Sequence, residues 1–427
     1  MNKTIYINTL GCAKNEVDSK KMAAKLRKAG YQITDDYELA DLFIINTCSF
    51  IESATSESID TVLDFLDIKN ERNVAVVVSG CMPSRYAANL SDQMPEVDAF
   101  LPCADEHNVV EVVSSLIGLP PKKNELVESD VDRIISAYVK ISEGCDRTCA
   151  FCTIPLIRGK YHSYTMEQIA SDVKIAVDAG AKEINFVAQD TGHWGRDFSE
   201  KQTLAGLLEF IAQEFPDTYF RVLYVQPDEV TDDLLFAIQK HNNIINYLDI
   251  PLQHVSEHVL RDMKRTGSAQ DFIARIKRIK EIIPDVTLRT TLMVGFPGET
   301  DDDFQELLDF ASLGIFDYVG VFSYSNEDDA ASHDYPDQVD EEEKSYRLGE
   351  ITDLVDSIAA SKIRERIGQT FKVIIEGQEE DGQLYGRALF QAPEVDGLVY
   401  VDKGMPGQVV EAEMIDSLLY DLEGEVK

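Results

Sequence analysis

The chain has 427 residues, 44% hydrophobic and 27% charged, the composition of a globular protein of about two to four domains. Forty basic side chains against 77 acidic ones leave a net charge of −37, which repels nucleic acid and anionic membranes and favours a basic protein as partner. No segment approaches the roughly 20 apolar residues of a membrane span, and the start lacks a signal peptide's apolar core, so a cytoplasmic protein without membrane contact is expected.

Residues 1–118 alternate short β-branched runs (4–8, 42–46, 74–78, 97–101) with helical stretches (15–29, 52–66, 85–90, 109–116). That alternation predicts a doubly wound parallel α/β sheet. Residues 119–132 are punctuated, polar and aperiodic, and read as a linker. From 133 to 365, six candidate strands (135–141, 183–188, 219–225, 245–250, 286–294, 318–323) alternate with helical patterns such as 166–179, 269–283 and 303–311. They predict a closed or partial β/α barrel whose site lies at the carboxyl ends of the strands. The acidic run at 337–343 reads as a solvated helix start. Residues 366–427 change character: short strands at 371–375, 382–389, 397–401 and 408–415, separated by Gly, Pro and Asp, suit a small antiparallel barrel of the OB type.

The seven cysteines are Cys12, Cys48, Cys81, Cys103, Cys145, Cys149 and Cys152. An odd, sparse set of this kind argues against a disulfide framework and for metal or catalysis. Cys145, Cys149 and Cys152 fall in the first βα loop of the second block, which opens on the barrel's active face. Three thiolates so spaced can hold three corners of one metal centre. Structural zinc, the bland alternative, wants four protein ligands, and no fourth is near. A 4Fe-4S cluster held by three cysteines keeps one iron open to an exogenous ligand.

The CxxxCxxC spacing, with Phe151 just before the last cysteine, resembles the radical S-adenosylmethionine signature. That resemblance implies that the open iron takes the amino and carboxylate groups of S-adenosylmethionine. One electron then releases a 5′-deoxyadenosyl radical, which removes hydrogen from carbon. Phe151, Gln189 after the second strand, Gln253 after the fourth, Arg289 on the fifth and Gly295 at its end are candidate cofactor contacts. For Gly295 an ordinary turn is the alternative, and for Gln253 and Arg289 a polar residue bonded to local backbone.

In the first block, Cys12, Cys48 and Cys81 each follow a strand, and the carboxyl ends of parallel strands share one edge. Independent burial is the common fate of free cysteine, but three equivalent positions favour a second three-cysteine cluster. Cys103 also follows a strand and so offers a four-cysteine site. Its Pro102 and polar surroundings favour an ordinary loop cysteine.

The three-cysteine first block, the CxxxCxxC barrel and the small β-barrel together resemble the radical methylthiotransferases along essentially the whole chain. Residues 141–145, 154–159, 249–254 and 392–397 look like the branch that acts on a ribosomal protein. The resemblance implies a C-terminal TRAM-like barrel, Cys12, Cys48 and Cys81 on an auxiliary 4Fe-4S cluster, and Cys145, Cys149 and Cys152 on the radical cluster. It further implies S-adenosylmethionine as co-substrate, and methylthiolation of an aspartate β-carbon in the twelfth small-subunit ribosomal protein. A flavodoxin-like or ferredoxin-like electron donor is expected. The chain departs from the family pattern at Ser163-Tyr164, at Asp190-Thr191-Gly192 and at Trp194.

The sister branch modifies an adenosine in transfer RNA, and charge separates the two. From residue 368 onward, 13 acidic and four basic side chains leave −9. A phosphate-holding domain needs a basic face. A basic ribosomal protein is therefore the expected substrate, transfer RNA the alternative, and a non-enzymatic iron–sulfur or zinc scaffold a third reading.

Overall fold

The computed structural model describes residues 3–120 and 134–427. The expected linker lies, from residue 121 on, outside the described residues. The first block contains β1 (Thr4–Thr9), α1 (Ala13–Ala29), β2 (Gln32–Thr34), β3 (Leu42–Thr47), α2 (Glu52–Glu71), β4 (Ala75–Gly80), α3 (Cys81–Gln93), β5 (Ala99–Pro102) and α4 (Val109–Ile117). Its strands form a parallel sheet of order β2-β1-β3-β4-β5. Every residue of β3 is buried because the strand has helices on both faces. Leu42 and Ile44 pack with α1 and α4, whereas Phe43 and Ile45 pack with α2 and α3. Each buried apolar side chain of this size contributes about 1.5–3 kcal/mol. Strand β2 was not expected; three mostly polar residues at a sheet edge carry no readable period.

The second block runs through β6 (Ser136–Lys140), β7 (Ser142–Glu143), α5 (Ile154–Arg158), β8 (His162–Ser163), α6 (Met166–Asp178), β9 (Glu183–Val187), α7 (Leu204–Glu214), β10 (Tyr219–Val222) and α8 (Asp232–Lys240). It continues with β11 (Ile244–Asp249), α9 (Glu257–Asp262), α10 (Ala269–Ile282), β12 (Thr287–Val294), α11 (Asp301–Ser312), β13 (Tyr318–Ser323) and α12 (Glu341–Arg364). Six strands pair in parallel as β13-β12-β11-β10-β9-β6 and do not close, so the barrel is partial. Side-chain caps start the helices where the sequence supplies them: Thr165 and Gln168 form a capping box on α6, and Thr300 and Asp303 form another on α11. The acidic run opens α12, with the Asp340 carboxylate accepting from the Glu343 N–H at 2.9 Å.

The third block is a closed barrel of β14 (Thr370–Gln378), β15 (Leu384–Ala388), β16 (Val399–Val401), β17 (Val409–Leu418) and β18 (Asp421–Val426), in the order β14-β15-β16-β18-β17. Two corrections to expectation apply. The acidic last strand, β18, was not foreseen, and closure pairs β16 with β18 in parallel, so the barrel is not wholly antiparallel. Loop 389–397 seats it on the larger barrel. Arg221 donates to the carbonyls of Leu389 and Gln391 at 3.0 and 2.9 Å, and the Tyr247 hydroxyl donates to Asp396 at 2.6 Å. Glu183, fully buried, takes both Arg221 and Arg387. No helix among the described residues is long and apolar enough to cross a membrane.

Candidate functional site

Loop 144–152 leaves the mouth of the partial barrel. Gly144 sits at φ +77°, where an added Cβ would lie 2.3 Å from the Lys160 carbonyl oxygen, so only glycine lets the loop lie against 159–160. Cys145 N–H then bonds the Gly159 carbonyl at 3.2 Å, and Ala150 N–H bonds Met263 at 3.0 Å. Cys145, Cys149 and Cys152 all line one cavity of about 380 Å³, joined by Arg147, Lys160 and Lys264. Burial pushes the Cys145 thiol up to about 11 and the Cys152 thiol up to about 12. Three free thiols lining one cavity suit a metal centre, whose positive charge would offset the burial that raises the Cys145 and Cys152 thiols.

Two arginines near these thiols are fixed. Arg147 reaches Asp190 at 2.6 Å, Asp228 at 3.1 Å and Glu229 at 3.2 Å. Arg265 spans Gln226 and the Pro251 carbonyl at 2.6 and 2.7 Å, with a nitrogen 3.8 Å from the Cys149 sulfur. Phe151 joins an apolar cluster with Phe296, Tyr324 and Met263 behind the loop. Asp190, His193 and Glu229 bring three ligand-type atoms together, but Arg147 and Arg196 already engage the two carboxylates.

The other candidate contacts divide. Gln189 is held by Glu143, to which it donates at 2.8 Å, leaving its buried Oε1 without a partner. Gln253 adopts φ +74° and bridges to β12 through backbone bonds with Thr291 and Met293. Arg289 is met by Asp249 at 3.6 Å and by Asp396 of the small barrel at 3.4 Å. Gly295 sits at φ +76° with the Lys344 stem where a Cβ would be, so helix packing alone accounts for the glycine.

The thiols of the first block converge from separate strand ends. Gly11, at φ +89°, would place a Cβ 2.6 Å from the Cys48 Cβ, so glycine lets the β1 and β3 loops meet. Asn15, fully buried, donates to the carbonyls of Leu10 and Thr47 at 2.8 and 3.0 Å, while its oxygen faces the Cys81 sulfur. Ser58 exchanges bonds with the Cys48 backbone in both directions. Hydrogen bonds from Cys103 and Cys48 pull the Cys81 thiol well below its ordinary value, with Arg158 acting in the same sense. Cys103, expected as an ordinary loop cysteine, has its thiol near that of Cys81.

A buried polar chain runs from Cys81 to Glu143, two residues ahead of Cys145. Arg158, at the end of α5, places one nitrogen 3.5 Å from the Cys81 sulfur and another 2.6 Å from Asp18. Asp18 also takes Lys140, which pairs with Glu143, the partner of Gln189. Arg158, Asp18 and Lys140 are all less than 5% exposed at the side chain. None of the three stood out in the sequence. For Arg158 and Lys140 the sole signal was a charged residue ending a mostly apolar element, and Asp18, in a charged helix, gave none.

Comparison with known proteins follows this division. The Radical SAM superfamily model matches residues 139–311, the model described as uncharacterized protein family UPF0004 matches residues 4–102, and a TRAM domain model matches 367–426. The chain is 38% identical to the ribosomal protein uS12 methylthiotransferase RimO of Clostridioides difficile, over 99% of this chain and 98% of that one. It is also 38% identical to the protein of that name from Thermosipho africanus, over 99% of each. Among solved structures, the fold resembles the radical S-adenosylmethionine methyltransferase TsrM from Kitasatospora setae, with a TM-score of 0.58 at 12% identity over 78% of this chain and 77% of that one. Membership of the Radical SAM superfamily brings S-adenosylmethionine and a 4Fe-4S cluster as cofactors. Matched along nearly its whole length, the chain belongs to the RimO family of radical S-adenosylmethionine methylthiotransferases.

Proposed function

We propose that this protein adds a methylthio group to the β-carbon of an aspartate in ribosomal protein uS12, using two 4Fe-4S clusters. Cys145, Cys149 and Cys152 hold the radical cluster, and Cys12, Cys48 and Cys81 the auxiliary one. The observation that carries this is the pair of thiol sites, with the buried Cys81–Arg158–Asp18–Lys140–Glu143–Gln189 chain leading from one towards the loop of the other, in a protein similar throughout to enzymes of that name. When bound, the clusters and S-adenosylmethionine supply the electron, the radical and the sulfur.

The chain's own residues orient and shield. Glu143 presents the Gln189 amide, leaving its oxygen free to accept from an ammonium group. Phe151, Phe296 and Tyr324 back the loop with apolar surface that keeps water from a reactive centre. Arg147, fixed by three carboxylates, holds the Cys145–Cys149 turn in one shape. Domain limits of 1–118, 133–365 and 366–427 assign the three parts their roles, and the reaction runs in the cytoplasm with a flavodoxin-like or ferredoxin-like electron donor.

The small barrel supports a basic protein substrate over transfer RNA. From residue 368 onward the four basic side chains are all engaged: Arg387 with Glu183 and Glu376, Lys372 with the Tyr219 hydroxyl, Lys403 with Asp402 and Lys427 with Glu413. No free cationic row remains there for a phosphate backbone. Mass spectrometry of small-subunit proteins from cells with and without this enzyme tests the proposal. The expected result is one methylthio group on uS12 that vanishes with the enzyme. An unchanged uS12 together with altered transfer RNA would overturn it.

A further inference from the structure

The carboxyl edge of the first sheet carries one cysteine more than a three-cysteine cluster requires. Cys12 follows β1, Cys48 follows β3, Cys81 follows β4 and Cys103 follows β5, so four neighbouring strands each deliver a thiol to one edge. Cys81 is the hub, with the Cys48 and Cys103 side chains both within hydrogen-bonding reach of its sulfur. Cys103 is held in that place by its backbone. Its N–H donates to the Ser84 hydroxyl at 2.8 Å, that hydroxyl donates to the Gly80 carbonyl at 2.9 Å, and residues 103–108 form a tight 3-10 turn. A second feature singles out the same spot. The buried Arg158 guanidinium stands 3.5 Å from the Cys81 sulfur and is within electrostatic reach of Cys103 as well. A buried cation aimed at two thiols lowers the cost of making both of them anionic donors.

We infer that Cys103 is a fourth, displaceable sulfur donor to the auxiliary iron–sulfur site, occupying its open corner until an external sulfide takes that corner. The inference rests on the assignment of Cys12, Cys48 and Cys81 as the three permanent ligands. Three permanent cysteines leave one iron accessible, and an accessible iron in an idle enzyme is open to water and oxidants. A fourth thiolate on a neighbouring strand end closes it without a new element of structure. The exchange needs no redox partner: the iron–sulfur bond to Cys103 breaks, one to hydrosulfide forms, and the released Cys103 thiolate takes up a proton. Arg158 stays in place through both states because Asp18 and Asn15 hold it independently of the thiols.

The experiment uses the full chain with Cys145, Cys149 and Cys152 replaced by Ala, so that only the first site binds iron. That protein is compared with the same protein also carrying Cys103→Ala or Cys103→Ser, all reconstituted anaerobically with iron-57. Mössbauer and electron paramagnetic resonance spectra are followed while sodium sulfide is added. With Cys103 present, the four irons should all be sulfur-ligated before sulfide is added. In both Cys103 variants one iron in four should be distinct, and the spectral change should need at least tenfold less sulfide. Identical spectra and identical sulfide dependence with and without Cys103 would overturn the inference. So would loss of all iron from both folded Cys103 variants, which would make Cys103 obligatory. If the protein retaining Cys103 binds no iron at all, the assignment of the auxiliary cluster fails instead.

Discussion

The two thiol sites of this chain are built in opposite ways. The radical-site cysteines lie within eight residues on one loop, held by a glycine at φ +77° and by backbone bonds to residues 159 and 263. The auxiliary-site cysteines come from strand ends up to 69 residues apart, and only the fold brings them together. The first arrangement lines a cavity open to a small co-substrate. The second is uneven, with Cys48 and Cys81 buried, Cys12 exposed, and a side-chain carboxamide and a guanidinium between its loops. Proximity in sequence therefore builds one centre on a single loop, and convergence of a sheet edge builds another that exists only in the folded chain.

Breaking one site at a time separates their roles, and gives the largest effects. Replacing Cys145, Cys149 and Cys152 by Ala should abolish S-adenosylmethionine cleavage, measured as 5′-deoxyadenosine. Replacing Cys12, Cys48 and Cys81 by Ala should leave that cleavage within a few-fold of wild type and remove all methylthio product. Product at wild-type level in the second variant would end the two-site account.

The link between the sites comes next. Arg158→Met leaves Asp18 and Glu143 with one cation, Lys140, in a buried setting. Breaking a buried pair from one side costs about 3–5 kcal/mol, to be read from the urea midpoint of the cluster-free protein. A loss below about 1 kcal/mol would mean that water already reaches the network.

A smaller effect tells the barrel from the first sheet by pH. His254, fully buried near Glu299, has its imidazole pushed down to about 4 by burial. The folded ring stays neutral while the unfolded one takes a proton below about 6.5, so this stability is present above that pH and is lost as pH falls. Between pH 7 and pH 5 the wild type should lose about 2 kcal/mol more than His254→Gln. Equal losses in chemical denaturation would contradict the buried neutral ring.

The smallest effect leaves both thiol sites alone. Glu379→Lys, Glu380→Lys and Asp381→Lys together move the small barrel from −9 to −3. Association with uS12 should slow by about two- to tenfold at low salt and converge with wild type as salt rises, while S-adenosylmethionine cleavage is unchanged. A faster association would reverse the charge argument.

The same contrast explains what the sequence revealed. The three thiols of the loop were legible, because their spacing is local and needs no tertiary knowledge, whereas Arg147, Lys160, Lys264 and Arg265 around them were not. Cys12, Cys48 and Cys81 were legible through topology, since each follows a strand that the β-branched runs betray. Cys103 follows such a strand too, yet Pro102 and its polar neighbours hid it: the contact with Cys81 depends on how the 103–108 turn folds back on α3. Arg158, Asp18 and Lys140 were invisible for the same reason. Each is an ordinary charged residue until the first sheet packs against the barrel. Strands β2 and β18 escaped because neither carries an apolar alternation long enough to read.

The central claim is that each thiol site holds its own cluster, and iron content tests it most directly. Anaerobically reconstituted wild type should carry about eight irons and eight acid-labile sulfides per chain, and each triple-alanine variant about four of each. Four irons in the wild type, retained in one variant and lost in the other, would leave a single cluster and contradict the account.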